Sequence, residues 1–440
     1  MIVMKFGGTS VGDSKRIEMV GNLVKGRLAR KPLVVVSAHS GITNLLIDAA
    51  KAAVDGNPDV TAIRKRQYEV VDDCKLDHAL VDPLLADLSD LLKGICMVEE
   101  LTPRTFDLVQ SFGERMSVLV VAEMLRRQGL KAVAKNSYDL GLRSDCNYGS
   151  AQPDPASYHD VARTVRGIDA DVIITTGFIA KSHDGHVSTF GRGGSDYSGT
   201  IFGAALDAEE VEIWTDVNGV MSADPRVVKQ ARSIPEMTFT EAAELAWYGA
   251  KVLHPATVQP AVEKNIPVRV LNTYEPENPG TVIRKSLQNS TCVAKSVASK
   301  KNVTLVDIVS TRMLMAHGFM ARIFNTFEEF GIVINMIATS EITVSLTTDA
   351  TPEQLEPALR KLRDFSTVTA RAGHALVCLV GESMGGVRGV AARFFSALAD
   401  GGVNVRMISQ GASEINIAAL VNTADVEPAV RAVHAAFFES

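Results

Sequence analysis

The sequence has few of the features that mark secreted, membrane-bound or redox proteins. Its five cysteines, at positions 74, 96, 146, 292 and 378, are odd in number and widely spaced, without a Cys-x-x-Cys pair, so we expect reduced thiols. No stretch reaches the roughly 18 apolar residues of a membrane span, and the N-terminal residues MIVMKFGG do not form a signal peptide. We therefore expect a cytoplasmic protein.

Basic clusters and the motifs of two large kinase classes are also missing. The 45 basic and 51 acidic side chains give a formal net charge of −6, and no Lys/Arg run is long enough to follow a nucleic-acid backbone. The sequence has no GxxxxGK[ST] loop and no HRD or DFG segment, so P-loop enzymes and protein kinases are poor fits. No carboxylate cluster indicates a metal site made by the protein.

The first half of the chain alternates short apolar runs with helical patterns. With 440 residues, 46% hydrophobic and 22% charged, the chain should form two or three globular domains. Four runs are continuously apolar, which is typical of strands in a parallel sheet with helices on both faces. These predicted strands are Ile2–Phe6, Pro32–Ser37, Asp171–Thr175 and Val211–Thr215. A helix should follow the first strand, from about Asp13 to Ala29.

A β-hairpin is predicted between Ile179 and Phe190. Its tip is the sequence HDGH at residues 183–186, and Asp-Gly is the pair that accepts positive φ in a two-residue hairpin turn. The two histidines also allow a metal site, but a polar hairpin tip accounts for them without a third ligand.

An internal repeat follows the polar stretch KSLQNSTCVAKSVASKK at residues 285–301, which is typical of a domain junction. The segments ARIF (321–324) and GIVINMI (331–337) match ARFF (392–395) and GVNVRMI (402–408) at a spacing of 71 residues. Each copy is predicted as strand, helix, strand, strand, helix. A unit of about 70 residues buries its sheet poorly, so the copies should pair within or between chains.

Three glycine-containing clusters lie between predicted strands and helices. They are KFGGTS from Lys5, SAHSGITN from Ser37 and GRGGSD from Gly191. Free backbone amides at helix N-termini bind phosphate or carboxylate groups. One cluster alone is more simply a tight turn, whereas three in one α/β domain, two of them with a basic residue, favour an anion-binding site.

Six motifs in order resemble those of the aspartokinase family: KFGGTSV, SAHSGITN, SFGERMS, GRGGSDYSGT, WTDVNGVMSADPR and GAKVLHPAT. The resemblance covers most of the chain. It implies an α/β amino-acid-kinase fold with a mainly parallel sheet between helices over residues 1–285, and a linker over 286–300. Two α+β ACT regulatory domains of ferredoxin-like fold should follow, over 301–370 and 371–440.

The family reaction transfers the γ-phosphoryl group of ATP to the β-carboxylate of aspartate, the first step toward lysine, threonine and methionine. This nucleophile is already ionised at pH 7, so the obstacle is charge repulsion rather than proton removal. The resemblance implies that Lys5 contacts the transferring group and that Asp196 holds Lys5 or binds the substrate ammonium. A solvated lysine at a strand end is the alternative for Lys5. Mg²⁺ is implied too, held mainly by ATP oxygens and water.

For the substrate, the resemblance implies that Arg192 binds the α-carboxylate of aspartate and Glu114 its amino group. A buried Glu114 that pairs only with Arg115 is the structural alternative. The full predicted substrate set is Thr43, Glu114, Arg192, Gly193, Gly194 and Ser195.

For ATP, the resemblance points to Thr215 and Asp216 near the adenosine, and to Arg226 and Lys251 on the phosphates. Met221 stands where many relatives have a tyrosine, so an apolar contact is retained but a hydroxyl hydrogen bond is lost. The full predicted nucleotide set is Lys5, Phe6, Gly7, Gly8, Thr215, Asp216, Met221, Arg226 and Lys251.

The resemblance also implies an effector site for an end-product amino acid in the first ACT domain, at a subunit interface of a homodimer or tetramer. His317 to Met320 should open a helix whose free amides suit the effector carboxylate. Asn335 replaces the aspartate of lysine-sensitive relatives, which leaves lysine, threonine or neither open, and the tail could instead only dimerise the enzyme. The predicted effector set is Met313, Gly318, Phe319, Met320, Val333, Ile334, Asn335, Thr339, Ser340 and Glu341.

Two rival functions stay open at this point. One is a kinase of the same fold for glutamate or acetylglutamate; the other is a non-catalytic amino-acid sensor built on an inactive kinase. Retained Lys5, Arg192 and Asp196 argue against the sensor. Because the sequence stops after the second repeat, we expect no fused homoserine dehydrogenase.

Overall fold

A computed structural model describes residues 1–249, 255–287, 293–310 and 317–439. Its described residues group into two compact units. The first unit draws on residues 1–220, 235–239 and 252–287, and the second on 221–234, 240–251 and 288–440.

The described part of the first unit is built on an eight-stranded sheet. Its strands are β1 Ile2–Phe6, β2 Pro32–Val36, β3 Ala132–Lys135, β5 Val172–Thr176, β8 Val211–Thr215, β9 Glu236–Thr238, β10 Val268–Asn272 and β11 Thr281–Arg284. The order is β3-β5-β2-β1-β8-β10-β11-β9, and every pairing is parallel except that of β10 with β11. The four predicted strands and the mainly parallel sheet are confirmed.

Helices cover this sheet, and the apolar side chains of the first five form a core with β1 and β2. They are α1 Ser14–Lys25, α2 Ile42–Val54, α3 Thr61–Asp73, α4 Asp82–Val98, α5 Pro103–Arg127, α6 Tyr158–Gly167, α7 Gly194–Leu206 and α9 Pro255–Lys264. The Asp13 side chain caps α1 by accepting from the Arg16 amide. The predicted first helix ran to Ala29, but α1 ends at Lys25, because Gly26 disfavours a further turn.

A small second sheet contains the predicted hairpin. Its strands are β4 Arg143–Ser144, β6 Ile179–Ser182 and β7 Val187–Thr189, and β6 and β7 pair antiparallel. The hairpin is confirmed, but the prediction that its turn has two residues is wrong. Only Gly185 of the Asp-Gly pair has positive φ, at 86°, and the Ser182 amide donates to the His186 carbonyl across a wider tip.

The second unit contains a six-stranded antiparallel sheet in its described residues. The strands are β12 Ser296–Val309, β13 Ile334–Thr339, β14 Thr343–Thr348, β15 Thr367–Val380, β16 Met407–Ser409 and β17 Asn416–Asn422, in the order β13-β14-β12-β15-β17-β16. The helices are α10 Phe319–Glu329 and α11 Pro352–Arg363 in the first copy, and α12 Val390–Asp400 and α13 Val426–Phe438 in the second. Helix α8, Phe239–Trp247, precedes them.

The two copies of the repeat share the long strands β12 and β15, of 14 residues each. Residues 304–309 of β12 pair with β14, and residues 374–380 of β15 pair with β17, so one sheet serves both copies. Pairing of the copies within the chain is therefore confirmed. The predicted linker ran to residue 300, but residues 296–300 belong to β12. Its polar side chains find partners there: Ser296 donates to the Met221 carbonyl, and Lys300 pairs with Asp349.

The segment between β8 and β9 in the sequence, residues 221–234, belongs to this second unit. Ala223 and Val228 join the apolar core of the second copy. The buried Ser222 hydroxyl lies 2.9 Å from His434 Nε2 on α13, whose Nδ1 lies 2.7 Å from Glu439 Oε1. Both Ser222 and His434 are 1% exposed, so these hydrogen bonds hold the segment in place. A membrane-spanning helix is absent from the described residues, since none combines the required length with enough apolar side chains.

Candidate active site

Lys5 and Asp196 form a nearly buried ion pair between β1 and α7. Lys5 is 7% exposed, and its Nζ lies 2.5 Å from Oδ1 of Asp196 in the first turn of α7. The close approach of α7 to β1 depends on Gly199, where a Cβ would lie 3.2 Å from the Lys5 Cβ. A buried ammonium needs such a carboxylate. The alternative of a solvated strand-end lysine is therefore wrong.

The loops that follow β1 and β2 pack directly on each other. A Cβ on Gly8 would lie 2.6 Å from the Ala38 carbonyl oxygen, so only glycine allows this contact. The loop before α7 lies beside these two loops, with Gly193 as the N-cap of α7. The three predicted glycine clusters thus meet beside the Lys5–Asp196 pair.

Glu114 of α5 is buried beneath these loops, at 3% exposure. Its Oε1 accepts from the Ala38 amide at 3.1 Å, and Oε2 has no partner among the described residues. Burial raises the pKa of Glu114 to about 8, against the opposing effects of the Ala38 hydrogen bond and the Lys5 charge. Arg115 instead lies over the Phe112 ring, so the predicted alternative, a Glu114–Arg115 pair, is not the arrangement found. Glu114 is therefore a hydrogen-bond acceptor that forms no ion pair with a cationic side chain of the described residues.

His39 lies in the SAHSGITN motif, and no role was predicted for its side chain. It is 1% exposed, and its Nδ1 lies 3.1 Å from the Val11 carbonyl. Burial, helped by the charge of Arg66, lowers the pKa of His39 to about 3. The neutral ring therefore donates from Nδ1 to Val11 and links the two glycine loops. Arg66 strengthens this link by donating to the carbonyls of Gly12 and Ser40.

These groups surround a pocket of about 450 Å³, within the range of roughly 300–1,000 Å³ typical of small-molecule sites. Half of its lining consists of predicted site residues: Lys5, Gly8, Thr43, Glu114, Gly193, Gly194, Ser195 and Asp196. The remainder are Thr9, Ser37, Ala38, His39, Ser40, Gly41, Phe178 and Gly191. The pocket offers one cation, two carboxylates and several glycine amides, which suits an amino acid that must meet a phosphoryl group.

Some predicted residues of the first unit do not line this pocket. The Phe6 ring is buried and stacks on Trp214 with ring centroids 5.9 Å apart, so its side chain is a core group rather than a nucleotide contact. The Arg192 side chain is exposed. Gly7 donates its amide to the Trp214 carbonyl, and Thr215 and Asp216 follow at the same end of the parallel pair β1 and β8. The roles of Arg192, Thr215 and Asp216 stay predictions.

The remaining predicted nucleotide residues are not part of the described first unit. Met221 and Arg226 lie in the second compact unit, and Lys251 lies outside the described residues. The Arg226 side chain is 85% exposed and pairs with Asp224 at 2.7 Å.

A larger pocket, of about 730 Å³, lies between α1, β8 and β10. Its arginines are already paired with its glutamates. Arg27 Nε lies 3.1 Å from Glu212, and Arg30 and Arg269 contact Glu210 at 3.0 Å and 2.7 Å. Its charges are thus compensated, and the smaller pocket suits phosphate chemistry better.

The predicted effector residues lie at both ends of β13 in the first repeat copy, because Ile334 pairs with Thr348 at one end of the strand and Thr339 with Val344 at the other. Gly318 has a φ of 78° and is the N-cap of α10, as predicted, while Phe319 packs on Phe365. Asn335 donates from Nδ2 to Asp349 at 2.7 Å and accepts from Lys300 at 3.0 Å. Side chains of four residues are exposed, and two pack against the core of this copy. The exposed ones are Val333, Thr339, Ser340 and Glu341, the packed ones are Met320 and Ile334, and Met313 lies outside the described residues.

The described residues contain no group of three or more His, Cys, Asp or Glu side chains able to hold a metal ion. At the hairpin tip, His186 Nε2 lies 3.2 Å from Arg104, and Asp184 accepts from Tyr148.

Comparison with known sequences agrees with this architecture. Residues 1–272 match the amino acid kinase family, and residues 306–364 and 377–437 match the ACT domain. Aspartokinase 1 of Arabidopsis thaliana, a chloroplastic protein, is 39% identical over all of this chain and 80% of its own length. Lysine-sensitive aspartokinase 3 of Escherichia coli is 35% identical over all of this chain and 99% of its own length.

Solved structures give the same result. Escherichia coli aspartokinase III in complex with aspartate and ADP, in the R-state, superposes with a TM-score of 0.84 at 34% identity, and both chains are fully covered. The same enzyme with lysine and aspartate, in the T-state, gives a TM-score of 0.81 at 35% identity, covering all of this chain and 99% of the other.

The fold and the pocket define a phosphotransferase of the amino acid kinase class with ACT regulatory domains. The chain belongs to the aspartokinase family, at 35% to 39% identity along its whole length. It is an ATP-dependent kinase whose acceptor is the β-carboxylate of L-aspartate.

Proposed function

We propose that Lys5 and Asp196 carry the phosphoryl transfer. The observation behind this role is the nearly buried Lys5–Asp196 pair beside three glycine loops. Lys5 would neutralise charge on the transferring group, and Asp196 would hold the Lys5 ammonium in position. Neither residue would move a proton, because the attacking carboxylate is already ionised.

Aspartate would be held by its ammonium group and its α-carboxylate, the two groups that do not react. The unpartnered Oε2 of Glu114 would accept from the substrate ammonium, which supplies the missing cation. Arg192 would bind the α-carboxylate, for which its planar fork is suited. Thr43 and Ser195, together with the amides of Gly193 and Gly194, would complete the substrate contacts.

ATP would lie with its phosphates at Lys5, Gly7 and Gly8. Thr215, Asp216, Met221, Arg226 and Lys251 stay predicted contacts for the rest of the nucleotide. We assign Mg²⁺ mainly to ATP oxygens and water, because this ion usually binds substrate phosphates and keeps several of its waters.

The C-terminal unit would sense an end-product amino acid at Gly318 to Met320 and Val333 to Glu341. The helix N-cap at Gly318 supplies free amides for a carboxylate. The Escherichia coli structure in complex with lysine supports lysine as effector, whereas Asn335 in place of aspartate leaves threonine as the competing choice. We also propose a homodimer through the ACT domains, with 1–285 as the catalytic domain and 301–370 and 371–440 as the two ACT regions.

The deciding experiment measures coupled ADP release with Mg·ATP and L-aspartate, with glutamate and N-acetylglutamate as competing substrates. Turnover that requires aspartate supports these roles, and repetition with lysine, threonine and both identifies the effector. Folded protein that turns over only another amino acid would overturn the substrate assignment.

A further inference from the structure

Asp107 is a buried carboxylate that the reaction outlined above does not use. It lies in the second turn of α5 and is 0% exposed. Its Oδ2 accepts from the amides of Gly149 at 2.9 Å and Thr189 at 2.7 Å, and its Oδ1 accepts from the Thr189 hydroxyl at 2.8 Å. Three donors therefore converge on one side chain.

Such convergence is needed because a buried carboxylate without partners is strongly destabilised. Burial raises the pKa of Asp107, and the hydrogen bonds from Gly149 and Thr189 oppose this effect. The two donor segments are far apart in sequence, so Asp107 links β7 to the loop at residues 145–153.

Both donor segments lead to the glycine loop of the pocket. Thr189 ends β7, two residues before Gly191, and its carbonyl accepts from the Ala151 amide at 2.9 Å. Gly191 has a φ of 71°, and a Cβ there would lie 2.8 Å from the Gly149 carbonyl oxygen. The chain at 149–151 is therefore packed against the start of the loop that continues through Gly193 to Ser195.

We propose that Asp107 is a positioning residue that holds this loop in register with Glu114. Both carboxylates lie on α5, seven residues apart, which corresponds to about 10 Å along a rigid helix. One helix then sets the distance between the acceptor for the substrate ammonium and the loop for the α-carboxylate. The inference rests on the proposed roles of Glu114 and of the loop at 191–195.

Asp107 acts only through these segments, since it is fully buried and does not line the pocket. A loosened loop should therefore weaken the binding of aspartate and leave the binding of ATP unchanged. A role in folding alone would lower thermal stability without changing either KM.

The test compares Asp107→Asn and Thr189→Val with the wild-type enzyme. Asp107→Asn removes the negative charge and one acceptor oxygen, so the hydrogen bonds that hold the two segments weaken, and we expect the KM for aspartate to rise about tenfold. The KM for ATP should stay within about twofold. Thr189→Val removes only the hydroxyl hydrogen bond and keeps the backbone contacts, so a smaller rise in the same KM is expected.

Asp145→Asn is the matched control. Asp145 accepts from the Asn147 and Gln152 amides in the same loop without contacting Thr189, so its KM values should match the wild type. Unchanged KM for aspartate in both test variants, or an equal rise for ATP, would overturn the proposal. If Asp107→Asn does not fold, the two KM values of Thr189→Val decide whether the proposal holds. Wild-type turnover is measured first, so a wrong substrate assignment is recognised separately.

Discussion

Each compact unit contains a lysine paired with an aspartate, and the two pairs differ in their surroundings. Lys5 and Asp196 lie 2.5 Å apart with side chains 9% and 21% exposed. Lys300 and Asp349 lie 2.7 Å apart with side chains 20% and 56% exposed. The first pair lines a pocket with Gly8 and Glu114, whereas the second lies on the repeat sheet beside Asn335.

The two pairs have the same residue types and nearly the same separation, so they differ mainly in how far their side chains are buried. Exposed ion pairs contribute about 0–1 kcal/mol because water and salt screen them. Between less exposed side chains the same charges are screened less, and the loss of one partner leaves the other uncompensated. The predictions below test this difference.

Substitution of the buried lysine should give the largest effect. We expect Lys5→Ala to lower kcat by about 100- to 1,000-fold, as for the loss of a preorganised charge at a transition state. The fold should persist, because the variant removes little packing. Coupled ADP release and thermal melting followed by circular dichroism measure the two quantities.

Lys300→Ala is the control for this variant and should change stability by at most about 1 kcal/mol, with kcat unchanged. A Lys5→Ala enzyme with near-normal turnover would contradict the role of the buried pair.

The backbone around the buried pair should be nearly as sensitive. Gly8→Ala places a Cβ 2.6 Å from a carbonyl oxygen, so the two loops must separate. We expect kcat/KM for ATP to fall about 10- to 100-fold. Gly94→Ala, where nothing lies within 4 Å of the added Cβ, should leave the kinetics unchanged. Equal effects of the two variants would show that the loop contact is unimportant.

Glu114 should make aspartate binding depend on pH. Its pKa is raised to about 8, so below that pH the ammonium must displace a proton, and the KM for aspartate should fall as pH rises toward 8. In Glu114→Gln this dependence should disappear and the KM should be high throughout. A KM for aspartate that is independent of pH in the wild type would argue against the contact.

The same group affects stability in the opposite direction to an ordinary ion-paired carboxylate. The folded pKa of Glu114 lies above the usual value of 4.5, so the unliganded fold holds a proton that the unfolded chain has lost. The free energy of unfolding should decrease as pH rises from 4.5 to about 8. Chemical denaturation of the wild type and of Glu114→Gln at several pH values measures this change in the free energy of unfolding.

The smallest effect is expected for a substitution of Asn335, which lies beside the exposed Lys300–Asp349 pair. Asn335→Asp restores the carboxylate of lysine-sensitive relatives beside Lys300 and Asp349, and should lower the half-inhibitory lysine concentration a few-fold. Threonine inhibition should not change. Inhibition curves for both amino acids provide the measurement, and an equal shift for threonine would refute a specific ammonium contact.

Much of the active site could be predicted because its residues lie in short continuous motifs. Continuous apolar runs identified β1, β2, β5 and β8, and parallel strands place their carboxyl ends at one edge. The clusters at Lys5 and Ser37, which lie at the ends of the neighbouring parallel strands β1 and β2, therefore had to meet. The cluster at Gly191 follows β7 of the small antiparallel sheet, so its place beside them depended on the tertiary structure.

Other features depended on contacts between distant segments. Polar composition suggested a linker at 296–300, yet these residues form strand because β15 supplies their backbone partners. Asp107 lies 82 residues from Thr189, and only the folded chain brings them together. The same holds for residues 221–234, whose place beside α13 no local pattern indicates.

The sequence by itself determined the family, the order of domains, the main strands and the residues whose chemistry suits phosphoryl transfer. These properties are local, since they depend on residue type, spacing and periodicity along the chain. Only the tertiary structure decided the environment of each group: that Lys5 is buried with Asp196, that Glu114 lacks a cation and that Asp107 holds the glycine loop. Burial and partnership, and hence pKa and strength of interaction, arise from contacts between segments that are remote in sequence.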